Sequence, residues 1–444
     1  MPQLGNHTVK IAIIGGGVSG MGAAMALKDL HDVTLLEQND RLGGHADTAS
    51  FALNGQHFDV DTGFIVYNTV NYPNFCALMD VLGVAGEDSD MSFSVSCDAG
   101  RLEYACDTLD KVFAQRHRTL DPTFLRAMWD ILWFMKNAPN ALKCGELHRM
   151  TLGAWLDSSN YSRAFRHLFL YPMGGAIWST ASADVAHFPA DAFVTFFKNH
   201  ELLHAFDRKI QWRTVSGGSR QYVNEIARHL GPRVRLNHPV SKIRRTSQGI
   251  EVQCINRPAA VFDQVVLATH SDQALALLQD ADADEKSVLA RIRYADNEAV
   301  LHHDPRLMPK MRKVWSSWNF LADSKDLERA PSVSYWMNRL QNIQSDTPII
   351  VTLNPPFPPR DDRVIRRRRY AHPQFDADTI DAQQDCDRIQ GRRGVWFAGA
   401  WNRWGFHEDG LTSGLRIAAA LGARPAWAQS IPRPLTAQMS MAVE

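Results

Sequence analysis

The 444-residue sequence predicts an α/β fold, α+β overall. A Rossmann-type domain is interrupted twice by a second domain of antiparallel sheet plus helices. Three observations predict this. Between Ile11 and His45 the chain runs through a strand, a glycine-rich turn, a helix, a strand ending in an acid, and a second glycine pair. Segments of the same character return after Gly217-Gly218-Ser219 and again in GVWFAGAWNRWGFHEDGLTSG. The stretches between them differ, with helical periodicity over 110–204 and strand patterns over 290–360. One discontinuous domain explains this scatter better than consecutive domains do. We expect it over 1–75, 205–285 and 385–424, with the second domain over 76–204 and 286–384. Residues 425–444, with prolines and little periodicity, read as a loose tail.

The elements follow in order. Val9 to Ile14 is a β-branched apolar run, as expected of a parallel strand buried on both faces. Gly15, Gly17 and Gly20 stand at GxGxxG spacing. The first turns the chain tightly, the second lets backbone approach a pyrophosphate, and the third lets helix and strand pack closely. The helix expected from Val18 to Leu30 begins at Val18 and Ser19, where N–H groups and the helix dipole favour a phosphate. Val33 to Leu36 reads as the second strand, with Glu37 and Gln38 after it. Glu37, about 20 residues past the first glycine, suits a carboxylate on ribose hydroxyls and repels a 2′-phosphate, which disfavours NADP. The next residues, Arg41-Leu42-Gly43-Gly44, favour FAD over NAD.

In the middle, a helix is expected over Tyr222 to Leu230, and VRLNHPVSKIRR and GIEVQCI read as strands joined by a glycine turn. Phe262 to Ser271 is another buried strand, with Ala268 near its end. The last set is a strand, a loop with Gly399-Ala400, and a helix from about Gly410 to Leu421. There is no second GxGxxG, so no separate nicotinamide domain is expected and reoxidation falls to oxygen or another carrier.

The composition is 45% hydrophobic and 22% charged with zero net charge, ordinary for a globular protein and no argument for a nucleic-acid partner. None of the six cysteines has CxxC spacing, and free thiols in a reducing cytoplasm are the simplest reading. His302 and His303 have only Asp304 nearby, so no metal is expected. The apolar run Ile11–Leu27 is explained as strand–turn–helix rather than a signal peptide. No segment reaches the ~20 apolar residues of a membrane span. We expect a cytoplasmic protein, with a peripheral position on the inner membrane face and the oligomeric state left open.

These pieces together resemble the flavin-containing amine oxidase superfamily, which includes monoamine and polyamine oxidases, protoporphyrinogen oxidase and the phytoene desaturases. GGGVSGMGAA…LLEQNDRLGGH is similar to its AMP- and pyrophosphate-binding segment. Val240, in LNHPVSKI, sits where the family uses a backbone contact to adenine. Gly399, Ala400, Asp409, Gly410 and Leu411 resemble the segment that holds pyrophosphate and flavin. DVDTGFIVYN, YPMGGAIWST, LHHDPRLMP, WSSWN and GFHEDGLTSG resemble more closely a bacterial subgroup of FAD-binding proteins, similar to the flavoprotein segment of plant cyclopropane-fatty-acid synthases. That resemblance implies an FAD-dependent oxidase or dehydrogenase–desaturase. It would take hydride from a hydrophobic substrate, such as a methylated or unsaturated acyl chain of a lipid. The alternatives are a flavin amine oxidase and, in another class, a flavin-binding accessory protein to a lipid methyltransferase.

The chain departs from the amine oxidases at His45, where they commonly have Arg. It departs again where they place an aromatic cage and this chain reads Trp401, Trp404, Phe406, His407, Glu408. A base is wanted if a second proton leaves the substrate, and His407 and Glu408 titrate beside the flavin segment. Otherwise His407 only hydrogen-bonds flavin or backbone. His45 could touch the flavin ring, bond to it covalently, or simply pack there. Asp61, Thr62 and Gly63 line the pocket or form a capped turn. Met173–Trp178 suits backbone passing close to a ligand or tight helix packing. Trp315, Trp318, Tyr335 and Trp336 wall an apolar pocket or fill a core. Arg366–Arg369 is a solvated face or a contact for anionic lipid headgroups.

Overall fold

The computed structural model describes residues 8–203, 210–322, 332–429 and 431. The domain junction expected near 205 and most of the tail expected over 425–444 lie outside the described residues.

Five parallel strands form the first sheet, in the order Val234–Arg235, Asp32–Leu36, Lys10–Ile14, Gln264–Leu267 and Val395–Phe397. Three distant stretches of chain therefore close one sheet. Ile11, Ile13, Leu35 and Val266 pack beneath helices that include Val18–Leu27, Arg220–Leu230 and His407–Ala420. Ala12, Ile14, Leu36 and Leu267 pack on the other side, against the antiparallel strands Val240–Thr246 and Gly249–Cys254 and the helices Ser271–Leu277 and Ala283–Leu289. Burial on both faces is why these strands are unbroken apolar runs.

The glycine-loop helix ends at Leu27, and the C-terminal helix begins at His407, ahead of the expected Gly410. These two helices cross in direct contact. A Cβ at Gly22 would lie 2.4 Å from Leu411 Cδ1, and one at Gly414 would lie 2.3 Å from Ser19 O. A Cβ at Gly410 would lie 2.8 Å from Val18 Cγ1. Side chains at these positions would push the helices apart and move the glycine-rich end of Val18–Leu27.

The second layer is a seven-stranded sheet with Val364–Pro373 at one edge and Leu102–Ala105 at the other. It is antiparallel as expected, except that Trp318–Ala322 pairs parallel with Phe93–Cys97. Helices between Leu109 and Asn199 cover it around buried rings that include Phe134, Trp155, Phe165, Phe193 and Phe197. The longest, Pro122–Lys143, is capped by Asp121, whose side chain accepts from the N–H groups of Thr123 and Phe124.

Candidate active site

A cavity of about 1370 Å³ runs from the glycine turn of the parallel sheet to the second layer. At one end it is lined by Glu37, Gln38, Arg41 and Val240. Gly15, Gly17, Val18, Ser19, Gly44, His45, Thr62, Gly63, Ala268, Gly399, Ala400 and His407 line its middle course. The far end is an apolar chamber with Phe93, Met173, Ile177, Phe196, Trp318 and Tyr335 in its wall.

The two glycine motifs of the opening segment pack on each other. Gly43 N donates to Gly16 O at 2.8 Å, and a Cβ at Gly44, which has φ +57°, would lie 3.2 Å from Gly17 Cα. Arg41 braces the second motif, donating to the carbonyls of Leu42, Gly44 and Ala46. Glu37 accepts from Gly16 N at 2.7 Å through Oε2 and from Asn39 N at 2.9 Å through Oε1. It thus pins the glycine turn while facing the cavity, and a carboxylate has lone pairs left for a ligand hydroxyl. Space around Gly17 is open, with nothing within 4 Å of a Cβ there. The first turn of the helix that follows carries no acid to compete for its N–H groups. This cradle fits a pyrophosphate.

Several expected contacts lie just behind the wall instead. Gly20 is filled by the turn, since a Cβ would lie 2.0 Å from Gly15 O. Leu42 is buried against Gly16, and Gly410 and Leu411 form the helix crossing. Asp409 accepts from Trp404 N and Phe406 N, and burial raises its carboxyl to about 7. Asp61 is fully buried and not in the wall. Its carboxylate accepts from Thr48 Oγ1 at 2.6 Å, Ser219 Oγ at 2.7 Å and Gln341 Nε2 at 3.0 Å. It therefore ties the middle glycine segment to both layers, and burial raises it to about 6.

The expectation that Glu408 meets substrate needs correcting. Its Oε1 accepts from Asn74 N and Asn74 Nδ2, and its Oε2 accepts from Phe75 N, at 2.9–3.0 Å. The carboxylate caps the helix Pro73–Leu82 and does not line the cavity. His407 does line it, but its Nε2 shares a 2.6 Å hydrogen bond with the buried Tyr222 hydroxyl, and its ring stacks on Phe64 at 3.7 Å. Burial pushes it down to about 3, so it is a neutral, fixed wall.

His45 stands differently. Its ring stacks on Tyr370 at 4.9 Å and lies 5.4 Å from His372 and 6.3 Å from His270. Its Nε2 is buried without a hydrogen-bond partner. Burial, then the neighbouring imidazoles of His372 and His270, hold it well below the ordinary histidine value. Burial likewise lowers His372, to about 4, and His270. Tyr370, His372 and His270 were not among the expected site residues. The alternation in RRRRYAHP was the signal for two of them: on one face of the edge strand it sets Arg366, Arg368, Tyr370 and His372.

Two of the four arginines in the run share that face. Arg366 and Arg368 turn onto the buried Asp47, and Arg367 pairs with Glu298. Of the four aromatics expected to wall a pocket or fill a core, Trp318 and Tyr335 reach the chamber, whereas Trp315 and Trp336 pack edge-on at 5.5 Å in a separate small core. Met173, Ala176, Ile177 and Trp178 line the chamber while Gly174 lets the helix close on Val185 and Phe193, so that motif does both jobs. Trp404 and Phe406 also line it, beside Phe196 at 6.0 and 5.2 Å. Among the described residues no cluster of His, Cys, Asp and Glu could hold a metal ion, and no helix is long and apolar enough to cross a membrane.

Comparisons with known proteins agree with this arrangement. A Mycobacterium tuberculosis protein named as a flavin-containing monoamine oxidase is 26% identical over 265 residues, covering 55% of this chain and 53% of that one. The flavin-containing amine oxidase of Oncorhynchus mykiss is 26% identical over 285 residues, 59% of this chain and 50% of that one. The chain thus spans about half the length of the curated relatives it matches. In fold it is similar to putrescine oxidase bound to putrescine (TM-score 0.67, 16% identity, 94% and 100% of the two chains covered). It is also similar to a fatty acid isomerase from P. acnes that produces CLA (TM-score 0.64, 16% identity, 93% and 98% covered). The profile of the family described as flavin containing amine oxidoreductase matches residues 18–338. With the pyrophosphate cradle in place at Gly15–Ser19, the chain belongs to this flavin containing amine oxidoreductase family, oxidoreductases for which the cofactor is FAD.

Proposed function

We propose that this chain takes hydride from a hydrophobic substrate, a methylated or unsaturated acyl chain of a lipid being the class that fits best. The observation that carries this reading is the apolar chamber continuous with the nucleotide cradle. When bound, FAD supplies the hydride acceptor, and the protein supplies orientation, dryness and proton handling. Gly15–Ser19, Arg41 and Gly44 hold the pyrophosphate end with Gly43 bracing Gly16 from behind, Glu37 and Val240 the adenosine end, and Gly63, Gly399 and Ala400 the approach to the ring. Met173, Ile177, Phe196, Trp318 and Tyr335 exclude water and hold an extended apolar group. His45 faces the cavity with an unpaired Nε2 that can hydrogen-bond a ligand, while burial and its imidazole neighbours keep it neutral and weakly basic. None of the acidic residues in the cavity wall belongs to the apolar chamber: Glu37 and Asp40 lie at the nucleotide end, and Asp296 and Glu298 lie on the strand paired with the arginine run. A peripheral position on a membrane suits such a substrate.

An amine oxidase is the second reading. The aromatic faces of Trp404, Phe406 and Phe196 favour it, since a cation can sit against such faces. Anaerobic mixing with a panel of acyl lipids and amines separates the two. Bleaching of the oxidised flavin by acyl lipids supports the first, and bleaching by amines alone overturns it. Ala176→Trp, which fills the chamber, should leave flavin content intact and slow bleaching by long acyl chains at least tenfold. Flavin that no substrate reduces, in a protein that stimulates a lipid methyltransferase, would favour the accessory role.

A further inference from the structure

We propose that the outer face of the helix Pro122–Lys143 docks on an anionic lipid bilayer. Its inner face carries Phe124, Ala127, Ile131, Phe134 and Ala138 into the core. A core-facing helix ordinarily turns polar residues outward. This one exposes Leu125 (41%), Trp129 (63%), Leu132 (50%) and Trp133 (43%), whose spacing sets them in one stripe. Leu120, just before the helix, is 86% exposed. Among the described residues nothing covers this stripe.

Charge identifies the partner. The exposed charged residues of the helix are Arg126, Lys136 and Lys143, all cationic. Its single carboxylate, Asp130, is buried and paired with Arg126. Lys136 and Lys143 continue the apolar stripe toward the C-terminal end. Pairing two copies through this face would find no exposed acid on the helix to answer its cations. Tryptophan settles at the boundary of water and hydrocarbon, and lysines beside it reach phosphate headgroups. A helix of this length, about 33 Å at 1.5 Å per residue, can lie along a membrane surface. It does not cross one, since it falls short of the apolarity a span needs.

The surface also has a route inward. Phe134 packs edge-on against Phe197 of the helix Ala190–Asn199, and Phe196 of that helix lines the chamber. The docking face is therefore one helix removed from the proposed acyl-chain site. It rests on that reading only for its biological sense. Vesicle binding is measured without turnover and flavin bleaching without vesicles, so either can fail alone.

The test is flotation of the full-length, FAD-loaded protein with phosphatidylcholine vesicles, with or without an equal share of phosphatidylglycerol. Wild type should float with the mixed vesicles at least tenfold more than with phosphatidylcholine alone. The double variant Trp129→Ser/Trp133→Ser should lose at least tenfold of that binding. Lys136→Glu/Lys143→Glu should lose more than tenfold, since each membrane-facing cation contributes about fivefold. If the tryptophan variant fails to load FAD, the lysine variant decides. Wild type that ignores mixed vesicles overturns the proposal, as do loaded variants that float like wild type. So does a wild-type dimer that the substitutions turn into monomers in sedimentation, which would assign the face to a second copy.

Discussion

Replacing Glu408 by alanine distinguishes a carboxylate that holds a helix from one that moves a proton. Its oxygens accept from Asn74 N at 3.0 Å and Phe75 N at 2.9 Å, both at the start of Pro73–Leu82. Asn74 Nδ2 has a second acceptor in Thr412 Oγ1, so two backbone donors lose their partner. An unmet buried donor costs about 1–3 kcal/mol, giving roughly 2–6 kcal/mol. Burial raises the Glu408 carboxyl, so the native charge carries a desolvation cost that alanine removes. The net loss should therefore fall in the lower half, about 2–4 kcal/mol. Calorimetric melting of the FAD-saturated variant would show it as a lowered Tm. Flavin reduction by a working substrate should stay within about threefold of wild type, far from the ~100-fold or greater loss of a general base. An unchanged Tm with reduction slowed a hundredfold would refute the reasoning and return Glu408 to the chemistry.

Three further outcomes are expected. Asp61, held at about 6, binds its proton more tightly folded than unfolded, near 3.9. Its stabilising effect is complete below pH ~4 and lost as pH rises through about 6, a swing of ~3 kcal/mol that Asp61→Asn should abolish in urea titrations from pH 4 to 7. A gap between the two proteins that stays constant over that range would contradict the assignment. The buried histidines act in the opposite sense: His200, His302 and His372 are held at about 4 and His407 at about 3, against ~6.5 unfolded. Their stabilisation is present above pH ~6.5 and lost as pH falls toward 4, and His372→Gln should reduce the slope of stability against pH by up to one proton. Gly414→Val places carbon within 2.3 Å of Ser19 O, so the purified variant should carry little flavin by its visible absorbance, and full occupancy would show that the helix crossing tolerates the change.

The nucleotide cradle was legible because its constraints are local. Gly15, Gly17, Glu37 and Gly43–Gly44 sit within one segment, and each is demanded by a turn, a close approach or a strand end. The parallel strands were legible for a related reason, since burial on both faces leaves an unbroken apolar run. Asp61 and Glu408 were not, because their partners, Ser219, Gln341, Asn74 and Phe75, are brought to them only by the tertiary fold. A buried carboxylate next to a glycine motif looks the same in sequence whether it caps a helix or faces a ligand. The group around His45 was hidden likewise: Tyr370 and His372 arrive on an edge strand far along the chain, and their arginine neighbours drew the reading outward to solvent. Trp129 and Trp133 lie in a stretch whose periodicity shows a helix but not which of its faces is left bare.

The parallel sheet has a consequence for how the protein is made. Its strand Lys10–Ile14 is synthesised long before Val395–Phe397, which completes the sheet, and His407–Ala420, which seats the glycine-loop helix. Long-range pairing of this kind is slow and leaves apolar strand edges unsatisfied while it waits. Until residue 420 has been synthesised, the glycine-rich turn lacks the helix that packs behind it. Flavin capture therefore waits on the helix His407–Ala420, and the incomplete sheet must be sheltered while the residues between its first and last strands are made.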